Sequence, residues 1–124
     1  MNRKKTILFL EDEEELLSTV TTLLTDQGYE VICTRTAEEG LKILHKSMPD
    51  LVLADIKLPG ADGFEFFKHF KQMKESEDIP FVFLTAFNNL RAAMDAKKQG
   101  AAEYITKPFE FEDLVSRIRE LAPP

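Results

Sequence analysis

Apolar residues recur along the chain in two alternating rhythms. Short runs, continuously apolar or alternating at every second residue, occupy 6–10 (TILFL), 29–33 (YEVIC), 51–54 (LVLA), 81–85 (FVFLT) and 102–105 (AEYI). Their length and their β-branched and aromatic content predict five strands. The segments between them follow helical spacing. Leu16, Leu17, Val20, Leu23 and Leu24 form one apolar face, and Gly28 stops that helix. Thr36, with Glu39 three residues on, has the form of a capping box. Phe66, Phe67 and Phe70 share one helical arc, which predicts core packing, while Phe64 lies off it and is expected to be partly exposed. Asn88 or Asn89 can cap a helix carrying Leu90, Ala93 and Met94. Phe111, Leu114, Val115, Ile118 and Leu121 mark the last helix.

The result is five βα units in a row. Parallel strands joined by helices cross right-handedly, so helices should cover both faces of one sheet. The near-continuous apolar runs of the third and fourth strands predict that these are central. No repeat, low-complexity stretch or linker interrupts the chain, and residues 1–124 read as one domain, with 122–124 (APP) either an end or the start of a linker.

Composition narrows the class. Of 124 residues 44% are hydrophobic, enough for a core, and 31% are charged. The net charge of −6 opposes contact with nucleic-acid phosphates or anionic membranes, so neither is an expected partner. Cys33 is the only cysteine, so an internal disulfide is impossible; a small hydrophobe at a strand end is its expected role. Basic residues followed by "ILFL" imitate a signal peptide, but the run is too short for one or for a membrane span. A cytoplasmic location is expected. His45 and His69 sit among charged neighbours and read as solvated helix residues.

Ligands of open parallel sheets bind beyond the carboxyl ends of the strands. There the first strand delivers Glu11 and Asp12, the third Asp55, the fourth Thr85, and the fifth Lys107 before Pro108. A flavodoxin-like strand order would set these strands side by side. Three carboxylates in one crevice repel each other and raise their pKa values. Lys107 can relieve that repulsion, and so can a divalent ion. An all-oxygen donor set suits Mg²⁺, with Mn²⁺ as a substitute, better than Zn²⁺.

What is missing narrows the reaction. No glycine-rich phosphate loop follows the first strand, and "EDEEE" would repel a nucleotide. A carboxylate beside a metal, a hydroxyl and a lysine remains. Such a carboxylate can take a phosphoryl group as an acyl phosphate, provided the equatorial oxygens are neutralised.

The stretches "ILFLEDEEELL", "DLVLADIKLPGADGFE", "PFVFLTAF" and "GAAEYITKPFEFEDL", in that order, resemble the receiver domains of two-component response regulators, in particular single-domain chemotaxis-type regulators. The resemblance covers nearly the whole chain. It implies a (βα)5 flavodoxin-like sandwich of three layers, with a parallel five-stranded sheet in the order 2-1-3-4-5. It implies that Asp55 accepts a phosphoryl group from a phosphohistidine on a sensor kinase or a histidine phosphotransfer protein. Asp12, Asp55 and the Lys57 carbonyl would bind Mg²⁺ directly, with Glu11 acting through water. Thr85 and Lys107 would each hold a phosphoryl oxygen, the Lys107–Pro108 bond would be cis, and Tyr104 would report the position of Thr85. No catalysis beyond phosphotransfer onto the chain and its reversal by hydrolysis is implied.

Glu11 stands where aspartate is commoner in that family. The resemblance further implies that Lys57 and Phe87, two residues beyond Asp55 and Thr85, stand at variable, rate-tuning positions flanking the phosphoryl group, and a bulky Phe87 is expected to hinder the hydrolytic water and lengthen the phosphoryl lifetime. Output would pass through the face of the fourth helix, fifth strand and fifth helix. That face would reach an effector protein, a covalently linked effector domain, or a second copy of the chain in a phosphorylation-dependent homodimer. Two rival readings are a degenerate receiver acting only as an interaction module and an unrelated small phosphatase. The intact Asp55, Thr85 and Lys107 argue against the first; repeated turnover of free phosphomonoesters would mark the second. For "LPG", Pro59 and Gly60 suit the central positions of a type II turn.

Overall fold

A computed structural model describes residues 3–124. Five strands alternate with five α-helices: β1 (Thr6–Leu10), α1 (Glu14–Asp26), β2 (Glu30–Thr34), α2 (Ala37–Lys46), β3 (Leu51–Ala54), α3 (Gly63–Gln72), β4 (Phe81–Thr85), α4 (Leu90–Lys98), β5 (Glu103–Thr106) and α5 (Phe111–Leu121). A short 3₁₀ turn, Lys74–Ser76, follows α3. All strand pairs are parallel, and the sheet order is β2-β1-β3-β4-β5, as the resemblance implies.

Alternation along the strands divides the core into two apolar layers, one on each face. Leu8, Leu10, Val52, Ala54, Phe81 and Phe83 pack with Phe66, Phe67 and Phe70 of α3 and Leu44 of α2. Ile7, Phe9, Leu51, Leu53, Val82 and Leu84 pack with Val20 and Leu24 of α1 and Leu114 and Ile118 of α5. The three-layer sandwich follows from these two sets. β3 is central and β4 lies beside it, but β1 is equally internal, with Ile7 to Leu10 fully buried.

Two strands, β2 and β5, lie one residue further along the chain at both ends than the periodicity places them. Tyr29 does not begin β2, because its amide bonds the Leu24 carbonyl at 3.1 Å and so closes the end of α1. Its buried hydroxyl instead donates to the Ala122 carbonyl at 2.7 Å. β5 extends to Thr106, which pairs opposite Thr85.

The caps behave in part as expected. Gly28, at φ 100°, ends α1, and the Asn89 side chain, not that of Asn88, accepts the Ala92 amide at 2.9 Å. The Thr36 hydroxyl accepts the Glu39 amide at 3.2 Å. The reciprocal half of the capping box is absent, because the Thr36 amide bonds Thr34 Oγ1 at 3.4 Å.

Three apolar positions read as helix faces lie outside the core. Leu90 is 76% exposed, Met94 62% and Phe111 40%. α4 leans on the sheet through small residues, with Ala96 its one buried side chain, so the wider side chains face solvent. Cys33 is likewise exposed, because β2 is an edge strand, and its Sγ lies 3.1 Å from Thr21 Oγ1. Phe64 is partly buried, and His45 and His69 are exposed, as read from the sequence. Gly60 has φ 77°, the value the third residue of a type II turn requires.

Candidate functional site

The ladder of the sheet runs one residue past the strands and so fixes the backbone of the site. The Glu11 amide bonds the Thr34 carbonyl at 3.0 Å, the Asp55 amide bonds the Leu10 carbonyl at 3.0 Å, and the Lys107 amide bonds the Thr85 carbonyl at 2.8 Å. Glu11 and Asp55 therefore emerge from β1 and β3 with their main chains held. Carboxylate oxygens of Glu11, Asp12 and Asp55 lie within 4.8 Å of one another. Glu11 is 1% exposed and Asp55 6%; Asp12 faces solvent.

Lys107 neutralises the two buried acids. Its Nζ donates to Glu11 Oε1 at 3.0 Å and to Asp55 Oδ2 at 3.2 Å. The second oxygen of Glu11 accepts the Glu13 amide at 3.1 Å, and Asp55 Oδ1 accepts the Lys57 amide at 3.3 Å. Burial raises the Glu11 pKa above the usual carboxylate value; the Glu13 amide and Lys107 oppose the shift, and the Asp55 charge adds to it. Repulsion between neighbouring acids is thus the lesser cause, contrary to the expectation from the sequence. Burial pulls on Lys107 in the opposite sense, yet Glu11 and Asp55 outweigh it and hold the ammonium charged beyond the usual lysine range. The Lys107–Pro108 peptide is cis.

Thr85, Phe87 and Tyr104 make a second group at the same edge. Thr85 is fully buried, and its Oγ1 accepts the Phe87 amide at 3.2 Å. The Tyr104 hydroxyl donates to the Phe87 carbonyl at 2.6 Å. Burial, helped by the Asp55 charge, pushes the Tyr104 pKa up. Lys57 is exposed, and Phe87 is half-buried.

One residue of the site escaped the sequence reading. Gly63 opens α3, and its amide donates to the Ile56 carbonyl at 2.7 Å. A Cβ there would fall on the Asp55 carbonyl oxygen and come within 2.8 Å of Ile56 Cα. α3 therefore starts pressed against the main chain of Asp55 and Ile56. The only sequence signal is a glycine at the first helical turn, where glycine has no propensity advantage.

The model of the family described as "Response regulator receiver domain" matches residues 7–119 of this sequence. The chain belongs to this family. The phosphate regulon transcriptional regulatory protein PhoB of Escherichia coli is 36% identical over 113 residues, which cover 91% of this chain and 49% of that protein. The chain thus spans about half the length of this curated relative. Among solved structures, the non-phosphorylated HemR receiver domain of Leptospira biflexa superposes with a TM-score of 0.89 at 30% identity, over 98% of this chain and 96% of that one. The BeF3-activated receiver domain of Klebsiella pneumoniae RstA superposes with a TM-score of 0.87 at 26% identity, over 97% and 100%. The protein is a receiver domain of the two-component kind, with a signalling fold. Among its described residues, no helix is long and apolar enough to cross a membrane.

Proposed function

We propose that Asp55 is the phosphoacceptor of this receiver domain. The observation that carries the reading is the Lys107 ammonium, 3.0 Å from Glu11 and 3.2 Å from Asp55 beyond the carboxyl ends of the strands. An Asp55 oxygen attacks the phosphorus of a phosphohistidine on a sensor kinase or a histidine phosphotransfer protein. The P–N bond breaks, and its electron pair stays on the imidazole, which takes up a proton. Water later attacks the phosphorus, the acyl P–O bond breaks, and the Asp55 carboxylate and inorganic phosphate are released. Lys107 steadies the charge on the phosphoryl oxygens, and Thr85 donates its hydroxyl to one of them. The main-chain amide of Lys57 already holds Asp55 Oδ1 and orients the carboxylate.

The clustered oxygens of Glu11, Asp12 and Asp55 fit a hard divalent ion, Mg²⁺ or Mn²⁺, with the Lys57 carbonyl as a further donor and Glu11 acting through water. When bound, that ion supplies positive charge that offsets the phosphoryl oxygens and the three acids.

Phosphorylation places close to two further negative charges beside Thr85 and Lys107. Movement of Thr85 toward them, followed by Tyr104, changes the α4–β5–α5 face. Leu90 and Met94, exposed on α4, give that face apolar area for an effector protein, a linked effector domain or a second copy of the chain. Residues 1–124 act as one domain in the cytoplasm, with no direct contact to nucleic acid.

Incubation with acetyl phosphate and Mg²⁺ should give one acid-stable, base-labile adduct per chain. Asp55→Ala should abolish it, and an adduct that persists there would refute the assignment. Repeated hydrolysis of p-nitrophenyl phosphate would instead support the phosphatase reading.

A further inference from the structure

Phe64 takes no part in the acceptor chemistry, yet it touches the segment that carries it. Its ring centroid lies 5.4 Å from that of Phe83 on β4 and 6.3 Å from that of Phe87, edge-on to the latter with the planes at 80°. Phe87 is gripped at three points. Its amide donates to Thr85 Oγ1, its carbonyl accepts the Tyr104 hydroxyl, and its ring meets Phe64. The Tyr104 ring returns to Phe83 at 5.8 Å. Phe64, Phe87, Tyr104 and Phe83 close a circuit to which Thr85 is joined through Phe87, and Phe64 alone in it belongs to α3.

The base of this contact is rigid. Phe64 directly follows Gly63, whose amide is bonded to Ile56 and whose Cα sits against the Asp55 main chain. Asp62 caps the same helix by accepting the Glu65 amide at 2.9 Å. The ring itself has room to move. Phe64 borders a groove of about 340 Å³ between α3 and α4, where the short side chains of Ala92 and Ala96 leave space. The ring thus has Phe87 on one side and open space on the other, the setting in which a switch element with two packings can operate.

We propose that Phe64 is a positioning residue: its edge-on contact holds Phe87, and with it Thr85 and Tyr104, in the present arrangement and so opposes switching. This rests on the reading of Asp55, Thr85 and Tyr104 given above. Removing the contact should make the switch easier.

The chain has two tyrosines, Tyr29 and Tyr104, so protein made with 3-fluorotyrosine gives two fluorine NMR signals, assigned through Tyr29→Phe. In Phe64→Leu without any phosphoryl mimic, the Tyr104 signal should move toward the position that wild type takes with beryllofluoride and Mg²⁺. The Tyr29 signal should stay. Labelling by acetyl phosphate should quicken by about threefold to tenfold, the worth of one edge-on aromatic pair. Phe64→Met, which keeps the volume and a sulfur–ring contact, should fall between wild type and Phe64→Leu. Once Phe87→Leu is present, Phe64→Leu should add nothing. Phe70→Leu, which trims the same helix at its contact with Phe81, should lower the melting temperature without moving Tyr104.

An unmoved Tyr104 signal in Phe64→Leu would overturn the proposal, as would an undiminished effect in the Phe87→Leu background. If wild-type Tyr104 ignores beryllofluoride, the switch reading itself fails. The comparison of wild type with Phe64→Leu, both without the mimic and in both Phe87 backgrounds, still decides whether Phe64 positions Phe87.

Discussion

The ammonium nitrogen of Lys107 lies 3.2 Å from Asp55 Oδ2, and it also holds Glu11. Removing it leaves two carboxylates almost out of water with no cation. Lys107→Met should cost about 2 kcal/mol of unfolding free energy, below the cost of breaking a fully buried pair because water can reach this site. Urea denaturation at neutral pH measures it. A variant as stable as wild type would mean that the pair holds no fold energy.

The same lysine sets part of the pH profile. Its folded pKa is raised above the ordinary 10.5, and burial first of all raises Tyr29 and Tyr104 above 10.0. In each case the folded state binds its proton more tightly than the unfolded state. Their stabilisation is therefore complete below about pH 10 and is lost as pH rises through the folded values. These three groups should leave the melting temperature unchanged through neutral pH and lower it above about pH 10. Tyr29→Phe and Tyr104→Phe should each flatten that fall.

Glu11 follows the same sign in a lower pH range. Its raised pKa means that ionisation costs the folded state, a cost that appears as pH rises from 4.5 through the folded value. Glu11→Gln keeps an acceptor for the Glu13 amide and leaves Lys107 its bond to Asp55. It should match or exceed wild-type stability without metal. Wild type should gain about 1 kcal/mol when Mg²⁺ is at about five times its Kd. Thermal shifts with and without EDTA should show a smaller gain in Glu11→Gln and in Asp12→Asn.

Gly63→Ala opposes two effects of unequal size. Alanine improves helix propensity by about 1 kcal/mol, but its Cβ meets main-chain atoms of Asp55 and Ile56, which cannot rotate away. Overpacking of this kind costs roughly 1–3 kcal/mol, and more against backbone. The variant should be less stable by about 2 kcal/mol and label more slowly, because Asp55 is displaced. Chemical denaturation and acetyl phosphate labelling check both.

Phe87 is held beside the site by Thr85, Tyr104 and Phe64. If its bulk hinders the hydrolytic water, Phe87→Ala should shorten the phosphoryl half-life by about threefold, a barrier change of roughly 0.7 kcal/mol. Decay of labelled protein after removal of the donor measures this; an equal or longer half-life contradicts it.

Much of the site was legible because each strand carries its own apolar run and ends in its own polar residue. "LVLA" followed by Asp55 and "FVFL" followed by Thr85 are local patterns. Other features were hidden for equally physical reasons. Leu90 and Met94 share helical spacing with a buried face, but periodicity shows only that a face exists, and here small alanines meet the sheet instead. Gly63 resembles any glycine near a helix start until the Asp55 carbonyl is placed beside it. The raised pKa of Glu11 comes mainly from burial, which no list of neighbouring acids reveals.

By itself the sequence determined the alternation of strands and helices, the residue type at each strand end, and thereby the family. These depend on interactions within a few residues, which spacing records. Only the tertiary structure decided that Lys107 reaches Glu11 across 96 positions and Asp55 across 52. It alone set Phe64 against Phe87. Such meetings depend on sheet order, register and the angle at which each helix returns, none of which a local pattern carries.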